Sequence, residues 1–332
     1  MNETLKHGET PSPDMKTMLV TGAAGFIGSH LVDQLLERGY KVVGIDNMST
    51  GTLDNLDRSL HNDRFTFFRM DIRRLDDLTK LMKDQSVRAV FHEAAIANVL
   101  RSIRDPCETN EVNVSGTINV LVASKSAEVG RVILASSGAV YGKPSYLPYD
   151  EEHPTNPISP YGASKRAAEL YCLTFERAYG VETVVLRYFN VYGPRQRYSR
   201  ESSVTAAFVN RSLRGRPLPI YGDGKQTRDF VYVADVVEAN LRALQVKRAA
   251  GKIFNVGCGR PTPINRLASL VLEAAQRKNV PVVHKEPRPG EVKHGYADIG
   301  RARKVLKFEP AVALAEGIKR TVEAQVRGKG NR

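Results

Sequence analysis

Residues 18–30 read MLVTGAAGFIGSH, and the rest of the chain is best understood outward from them. MLVTGA (18–23) is a short apolar run of the kind that forms a buried strand, and a helical pattern follows through 31–37. Gly22, Gly25 and Gly28 fall directly between the two. Glycine there lets the backbone turn sharply and approach a pyrophosphate, whose charge then sits at a helix N-terminus. A glycine triplet alone is weak evidence, because glycine also ends strands for plain steric reasons. Its place between strand and helix makes this one a dinucleotide loop. The spacing is GxxGxxG, slightly different from the common GxGxxG.

VVGID (42–46) is a second strand, ending on Asp46, 18 residues after Gly28. An acid at about 20 residues from such a loop holds the adenosine ribose hydroxyls. Asn47 follows, with no arginine beside it to receive a 2′-phosphate, so NAD is expected over NADP. FTFFRMD (65–71), AVFHEAA (89–95), RVILASS (131–137) and ETVVLRYFN (182–190) read as further strands. Asp71 and Ile72, closing the third, are candidates for adenine contact. Helices are expected at 75–83, 106–128 and 160–179. Continuous apolar strands separated by helices point to a Rossmann-type, doubly wound parallel sheet of the α/β class.

That pattern assigns 16–190 to an NAD-binding domain, preceded by a flexible, polar tail at 1–15. From 191 to 327, prolines punctuate shorter elements, with helices expected at 202–214, 233–246, 264–277 (capped by Thr262) and 313–326. This is expected to be a smaller, mainly substrate-binding α/β region, with the chain returning to the first domain around 228–258. It could close over ligands at the carboxyl ends of the strands, where open α/β sheets bind them.

The 332 residues suffice for one large or two ordinary domains, and 42% hydrophobic with 26% charged content is globular. No apolar run approaches the roughly 20 residues that span a bilayer. The N-terminus lacks the apolar stretch of a secretory signal, so a soluble, cytoplasmic protein is expected. Cys107, Cys172 and Cys258 lie far apart without a CxxC pair, which argues against a disulfide framework or metal site. The net charge of +13 has three readings: nucleic-acid binding, attraction of a polyanion such as a nucleotide diphosphate, or a basic solvated surface. Positive residues are spread along the chain without an interleaved aromatic stripe, so nucleic acid is not the expected partner.

Tyr161 and Lys165, in SPYGASKRAAE, are four residues apart and share a helical face. A phenol with its ordinary pKa of about 10 cannot act as a base near neutrality. A neighbouring ammonium, or a positive nicotinamide ring, would favour the phenolate. Tyrosine and lysine on a helix are usually surface residues; this pair follows a dinucleotide loop and a strand ending in Ser136 and Ser137. Ser137 can hydrogen-bond the reacting oxygen and position it.

TGAAGFIGSH, DN at 46–47, SSGAVYG (136–142), YGASK (161–165), RYFNVYGPRQ (187–196) and RPGE (288–291) together resemble the extended short-chain dehydrogenase/reductases of the NAD-dependent epimerase/dehydratase family. Within it the chain looks like the UDP-sugar 4-epimerases, the group of UDP-glucose (UDP-galactose) 4-epimerase, over about 16–326. The resemblance implies an NAD⁺ that takes hydride from C4 of a UDP-hexose and returns it to the opposite face of the keto sugar. It makes Tyr161 the acid/base, Ser137 its hydrogen-bonding partner and Lys165 the phenolate stabiliser. It puts Phe26, Ile27 and Ala94 on the cofactor and Phe189 near the nicotinamide. Asn190, Arg228 and Arg288 would meet the diphosphate region, and Tyr221 the uracil and ribose.

Gly138 and Ala139 stand where related dehydratases carry two acids, which argues against dehydration; UDP-glucuronate decarboxylases usually carry a glutamate where Ala139 stands. Gly295 matches a site where a small residue admits N-acetylhexosamines, so UDP-GlcNAc and UDP-GalNAc are further candidate substrates beside UDP-glucose and UDP-galactose. The alternatives are a UDP-glucuronate 4-epimerase or decarboxylase, and a non-catalytic cofactor-sensing or RNA-binding relative. The resemblance also implies a homodimer through a helical bundle that includes the YxxxK helix.

Overall fold

The structure, a computed structural model, describes residues 16–198, 203–287 and 292–330. Apolar runs buried on both faces form one parallel sheet: β1 (Thr17–Thr21), β2 (Lys41–Asp46), β3 (Phe65–Arg69), β4 (Val87–His92), β5 (Arg131–Ser137) and β6 (Glu182–Tyr188). The short strands β7 (Asn190–Tyr192), β8 (Leu218–Tyr221), β9 (Thr227–Arg228) and β10 (Phe230–Tyr232) follow outside it, and β11 (Lys252–Val256) returns to pair with β6. The spatial order is β11-β6-β5-β4-β1-β2-β3, the doubly wound arrangement with its reversal at β1 and β4. The fold is the expected Rossmann-type α/β sheet.

Helices cover both faces. Through residue 245 the helices are α1 (Phe26–Glu37), the single turn α2 (Asp57–Leu60), α3 (Leu75–Asp84), α4 (Val99–Arg104), α5 (Pro106–Asn110), α6 (Gly116–Ser126), α7 (Pro160–Tyr179), α8 (Val204–Leu213), which packs away from this sheet against β8, and α9 (Val233–Gln245). One core packs Leu31, Leu35, Phe91, Leu186, Val236 and Phe254 between the sheet and α1 with α9. The other packs Val43, Val90, Leu121, Val132, Ala168 and Phe175 beneath α3, α6 and α7. The stretch expected as one helix over 106–128 is interrupted by a π-helical turn at Glu111–Ser115.

The remaining elements are β12 (Thr262–Pro263), α10 (Ile264–Ala274), β13 (Val282–Lys285), β14 (His294–Gly295), α11 (Gly300–Leu306) and α12 (Leu314–Gly330). Tyr192, Phe208, Ile220, Phe230, Leu267 and Ile318 build a third core here, against which Phe26 and Ile27 of α1 also pack. The expected Thr262 cap of α10 is corrected: Pro263 takes the cap position and no side chain caps the helix. Thr262 is instead paired with Arg228 in the β12–β9 ladder, and the Ile264 and Asn265 amides are satisfied by the Gln226 and Gly224 carbonyls. No described helix is long and apolar enough to cross a membrane.

Candidate active site

The turn from β1 to α1 is built for close approach. Gly22 has φ +67°, and a Cβ there would lie 2.9 Å from the Ala94 amide nitrogen. A Cβ on Gly28 would lie 2.2 Å from the Gly22 carbonyl oxygen, so only glycine lets α1 start this near the loop. Gly25 is the N-cap of α1, and no side chain caps it. The helix therefore offers uncapped N–H groups and the positive end of its dipole to the cleft, which suits a pyrophosphate.

A cavity of about 280 Å³ opens above this loop. It is lined by Gly22, Gly25, Phe26, Ile27, Gly28, Asp46, Asn47, Asp71, Ile72 and Ala94, so ten residues singled out from the sequence share one wall. Asp46 accepts the Ala24 amide (3.1 Å) and the Met48 amide (2.7 Å), which ties the end of β2 to the glycine turn. Burial raises its pKa, and those two amides pull it back down. Asn47 Nδ2 donates to Asp71 Oδ2 at 2.9 Å.

Folding brings Arg73 and Arg101, neither of them in the sequence around Asp46, to the lining of this cleft. Arg73 clasps Asp71 through Nε (3.0 Å) and Nη2 (2.8 Å) and holds that carboxyl well below its usual range. Its guanidinium is thus engaged by Asp71, with Glu111 at 3.4 Å, in a bidentate geometry that satisfies its charge.

Ser137, Tyr161 and Lys165 do not line this cavity; Glu93, which does, acts on Tyr161 and Lys165. Ser137 acts on the Tyr161 phenol as a hydrogen-bonding neighbour. Lys165 lies one turn further along α7, is 5% exposed, and its Nζ donates to the Ala135 carbonyl at 2.8 Å. Burial lowers the ammonium to about 8, against Glu93 and Glu169, which raise it. Among the protein's own groups, burial and Glu93 raise the Tyr161 pKa while Ser137 lowers it. The expected pull of Lys165 on the phenol is not among these effects.

The start of α7 is locked to the cleft wall. Ser159 caps it by accepting the Gly162 amide, and Ser102 Oγ accepts the Tyr161 amide at 3.0 Å. Asn113, in the π-helical turn, accepts the Ile96 amide (2.8 Å) and donates to the Ile96 carbonyl (3.1 Å) and Ser164 Oγ (2.9 Å). It joins the loop after β4 to α7, and sequence reading missed it. An asparagine in mid-helix was the available signal, since it competes with the helical backbone. Such π-helical turns often mark functional sites.

Four of the substrate-side candidates, Asn190, Tyr221, Arg228 and Gly295, lie on short strands outside the large sheet. Phe189 faces Gly138, where a Cβ would lie 3.4 Å from its ring. Asn190 donates through both its amide and Nδ2 to the Asp229 carbonyl. Arg228 pairs with Gly295 in the parallel β9–β14 ladder, and its Nη1 donates to the Thr227 carbonyl at 2.9 Å. A Cβ on Gly295 would meet the Tyr149 ring at 3.4 Å. Tyr221 ends β8 in the separate β8–β13 ladder, its carbonyl accepting from Gln226. Arg288 and the rest of 288–291 lie outside the described residues.

The family model described as "NAD dependent epimerase/dehydratase family" matches residues 18–257. The chain belongs to that family. It is an enzyme family whose cofactor is NAD, and the glycine cradle and uncapped α1 suit that cofactor. A UDP-glucose 4-epimerase of Mycolicibacterium smegmatis is 44% identical, over 92% of this chain and 97% of the relative. The solved structure of a UDP-glucose 4-epimerase from Thermotoga maritima, with UDP-glucose, superposes with TM-score 0.89 at 40% identity, over 94% and 99% of the two chains. A UDP-N-acetylglucosamine 4-epimerase from Methanobrevibacter ruminantium, in complex with UDP-N-acetylmuramic acid, gives 0.89 at 36% identity over the same shares. Within the family, this chain carries the tyrosine–lysine pair and leaves positions 138 and 139 without acids.

Proposed function

We propose that the protein epimerises a UDP-hexose at C4 through a transient 4-keto sugar, with UDP-glucose and UDP-galactose as the first candidates. The observation that carries the reading is the juxtaposition of Ser137 with the Tyr161 phenol, with Lys165 buried one turn along α7, in a chain that also carries the glycine cradle. Tyr161 takes the O4 proton as C4 loses hydride, and returns it when hydride comes back to the other face. Ser137 holds the reacting oxygen in line with the phenol. NAD supplies the hydride acceptor and donor, held at Gly22, Gly25, Phe26, Ile27, Gly28, Asp46, Asn47, Asp71, Ile72, Ala94, Lys165 and Phe189. Gly138 and Ala139 bring no acid for water loss, so the chemistry ends with the returned hydride.

Asn190, Arg228 and Arg288 are the proposed contacts to the diphosphate region, Tyr221 to the uracil and ribose, and Gly295 leaves room for an N-acetyl group. The relative that acts on UDP-N-acetylglucosamine supports that extension. A boundary near residue 190 would separate the cofactor domain from the substrate region. A homodimer is also proposed: Val99, Leu100 and Ile103 on α4 and Leu170 and Tyr171 on α7 are exposed apolar residues on two packed helices. A second copy would cover them, which a mass measurement in solution tests.

The reaction is tested by incubating purified protein separately with UDP-glucose, UDP-galactose, UDP-GlcNAc, UDP-GalNAc and UDP-glucuronate, with trace NAD⁺. Conversion to the C4 epimer without net NADH is the expected result. Turnover of the glucuronate alone, or release of carbon dioxide, would replace the hexose reading. No conversion of any substrate would overturn the epimerase assignment for these sugars.

A further inference from the structure

More acids than bases line the dinucleotide cleft: Asp46, Asp71, Glu93 and Glu108 stand there against Arg73 and Arg101. A dinucleotide brings the two negative charges of its pyrophosphate to that wall. The positive end of α1, worth roughly half an elementary charge, offsets only part of them. The two arginines differ in what they have left to give. Arg73 meets Asp71 through Nε and Nη2 and Glu111 through Nη1, so each of its guanidinium nitrogens already faces a carboxylate. Arg101 meets Glu108 through Nη2 alone, at 2.7 Å, and its Nε and Nη1 bond no described residue. Its side chain is 31% exposed, on the same lining as Gly25, Phe26 and Ile27 at the start of α1.

We propose that Arg101 binds the cofactor's pyrophosphate with its remaining N–H groups, while Glu108 holds the guanidinium on the cleft wall. A guanidinium carries five N–H donors in a fixed fork, which matches phosphate oxygens, and one bond to a carboxylate leaves most of them to a second anion. The backbone beneath it is set. Asn98 Oδ1 caps α4 by accepting the Arg101 amide at 2.8 Å, and Ser102 Oγ, next along, accepts the Tyr161 amide at 3.0 Å. The short helix α4 is thereby tied to the start of α7, and the side chain of Arg101 leaves it from a fixed point. The phosphate then sits between two sources of positive charge, the N-terminus of α1 and the Arg101 guanidinium.

The role of Arg101 rests on the cofactor reading of the cleft, and a series of ligands separates the two. Arg101→Gln removes the charge and keeps a polar side chain; Arg101→Lys keeps the charge without the fork. Each purified protein is equilibrated with radiolabelled NAD, which is then displaced by unlabelled NAD, by ADP-ribose and by adenosine. ADP-ribose keeps the pyrophosphate and lacks the nicotinamide, whereas adenosine has no phosphate. Loss of charge-assisted hydrogen bonds in Arg101→Gln should weaken NAD and ADP-ribose by about 10- to 100-fold and leave adenosine unchanged. Arg101→Lys should recover part of that loss. Equal losses for adenosine and ADP-ribose would overturn the proposal, because Arg101 would then shape the cleft without meeting a phosphate. An unchanged NAD constant in Arg101→Gln would overturn it as well. If the unsubstituted protein took up neither NAD nor ADP-ribose, the cofactor reading itself would fail, and the role of Arg101 with it.

Discussion

Arg187 and Glu169 form a fully buried, bidentate ion pair, Nε to Oε1 and Nη2 to Oε2, both at 2.8 Å. Glu169 lies one helical turn beyond Lys165, and its Oε1 also accepts the Ser136 hydroxyl at 2.6 Å. Arg187 lies on β6, directly paired with Ser136 in the sheet, and its guanidinium covers the Tyr141 ring. One carboxylate thereby fixes α7 against β5 and β6, immediately behind Ser137, Tyr161 and Lys165. Glu169→Ala leaves the arginine buried and unpaired, which costs about 3–5 kcal/mol. Chemical denaturation measures it; a loss under about 1 kcal/mol would mean that the site does not depend on this pair.

Tyr161→Phe keeps the ring and removes the proton carrier. Turnover is expected to fall by about 10²–10⁴-fold, the usual share of a general acid–base group, with bound NAD unchanged. Product chromatography and cofactor content check both. Retained turnover would exclude Tyr161 as the acid/base.

His92 is 2% exposed and bonds Thr21 Oγ1 (2.8 Å) and Thr117 Oγ1 (3.0 Å). Burial lowers it to about 3 from an ordinary 6.5. The unfolded chain therefore binds a proton that the folded chain refuses between about 6.5 and 3. This group's contribution is present above 6.5 and is lost as pH falls toward 3. His92→Gln should flatten the decline of stability over that window by up to one proton's slope. Parallel curves for the two proteins would contradict the assignment.

Gly28→Ala sets a methyl 2.2 Å from the Gly22 carbonyl oxygen, so the loop or α1 must shift. Overpacking of this kind costs about 1–3 kcal/mol, and the displaced loop should hold NAD poorly. Thermal unfolding and the NAD retained on purification read the two effects. A variant with full cofactor content would show that the close approach is dispensable.

Gly295→Tyr places a ring where an added Cβ would already lie 3.4 Å from the Tyr149 ring, and beside Arg228 on the neighbouring strand. Turnover of UDP-GlcNAc and UDP-GalNAc should be abolished, and that of UDP-glucose and UDP-galactose spared. Equal losses on both pairs would argue that position 295 does not select the sugar.

The sequence alone determined the parallel sheet, the glycine turn, Asp46 and the YxxxK helix. Each is local: a strand, a turn and a helix in succession, or two side chains four residues apart, leave their mark within a few residues. RVILASS and 160–179 match the observed strand and helix end to end. The short ladders β9, β12 and β14 carry no such period, because two residues paired across the fold have none. What only the tertiary structure decided is of that second kind. Tyr188 reaches Glu93 across 95 positions, and Asn113 reaches Ser164 across 51. The pKa of Tyr161 belongs to the same class. Spacing puts Lys165 on its helical face, but burial and neighbours from other strands set its proton affinity, and those exist only once the chain has folded.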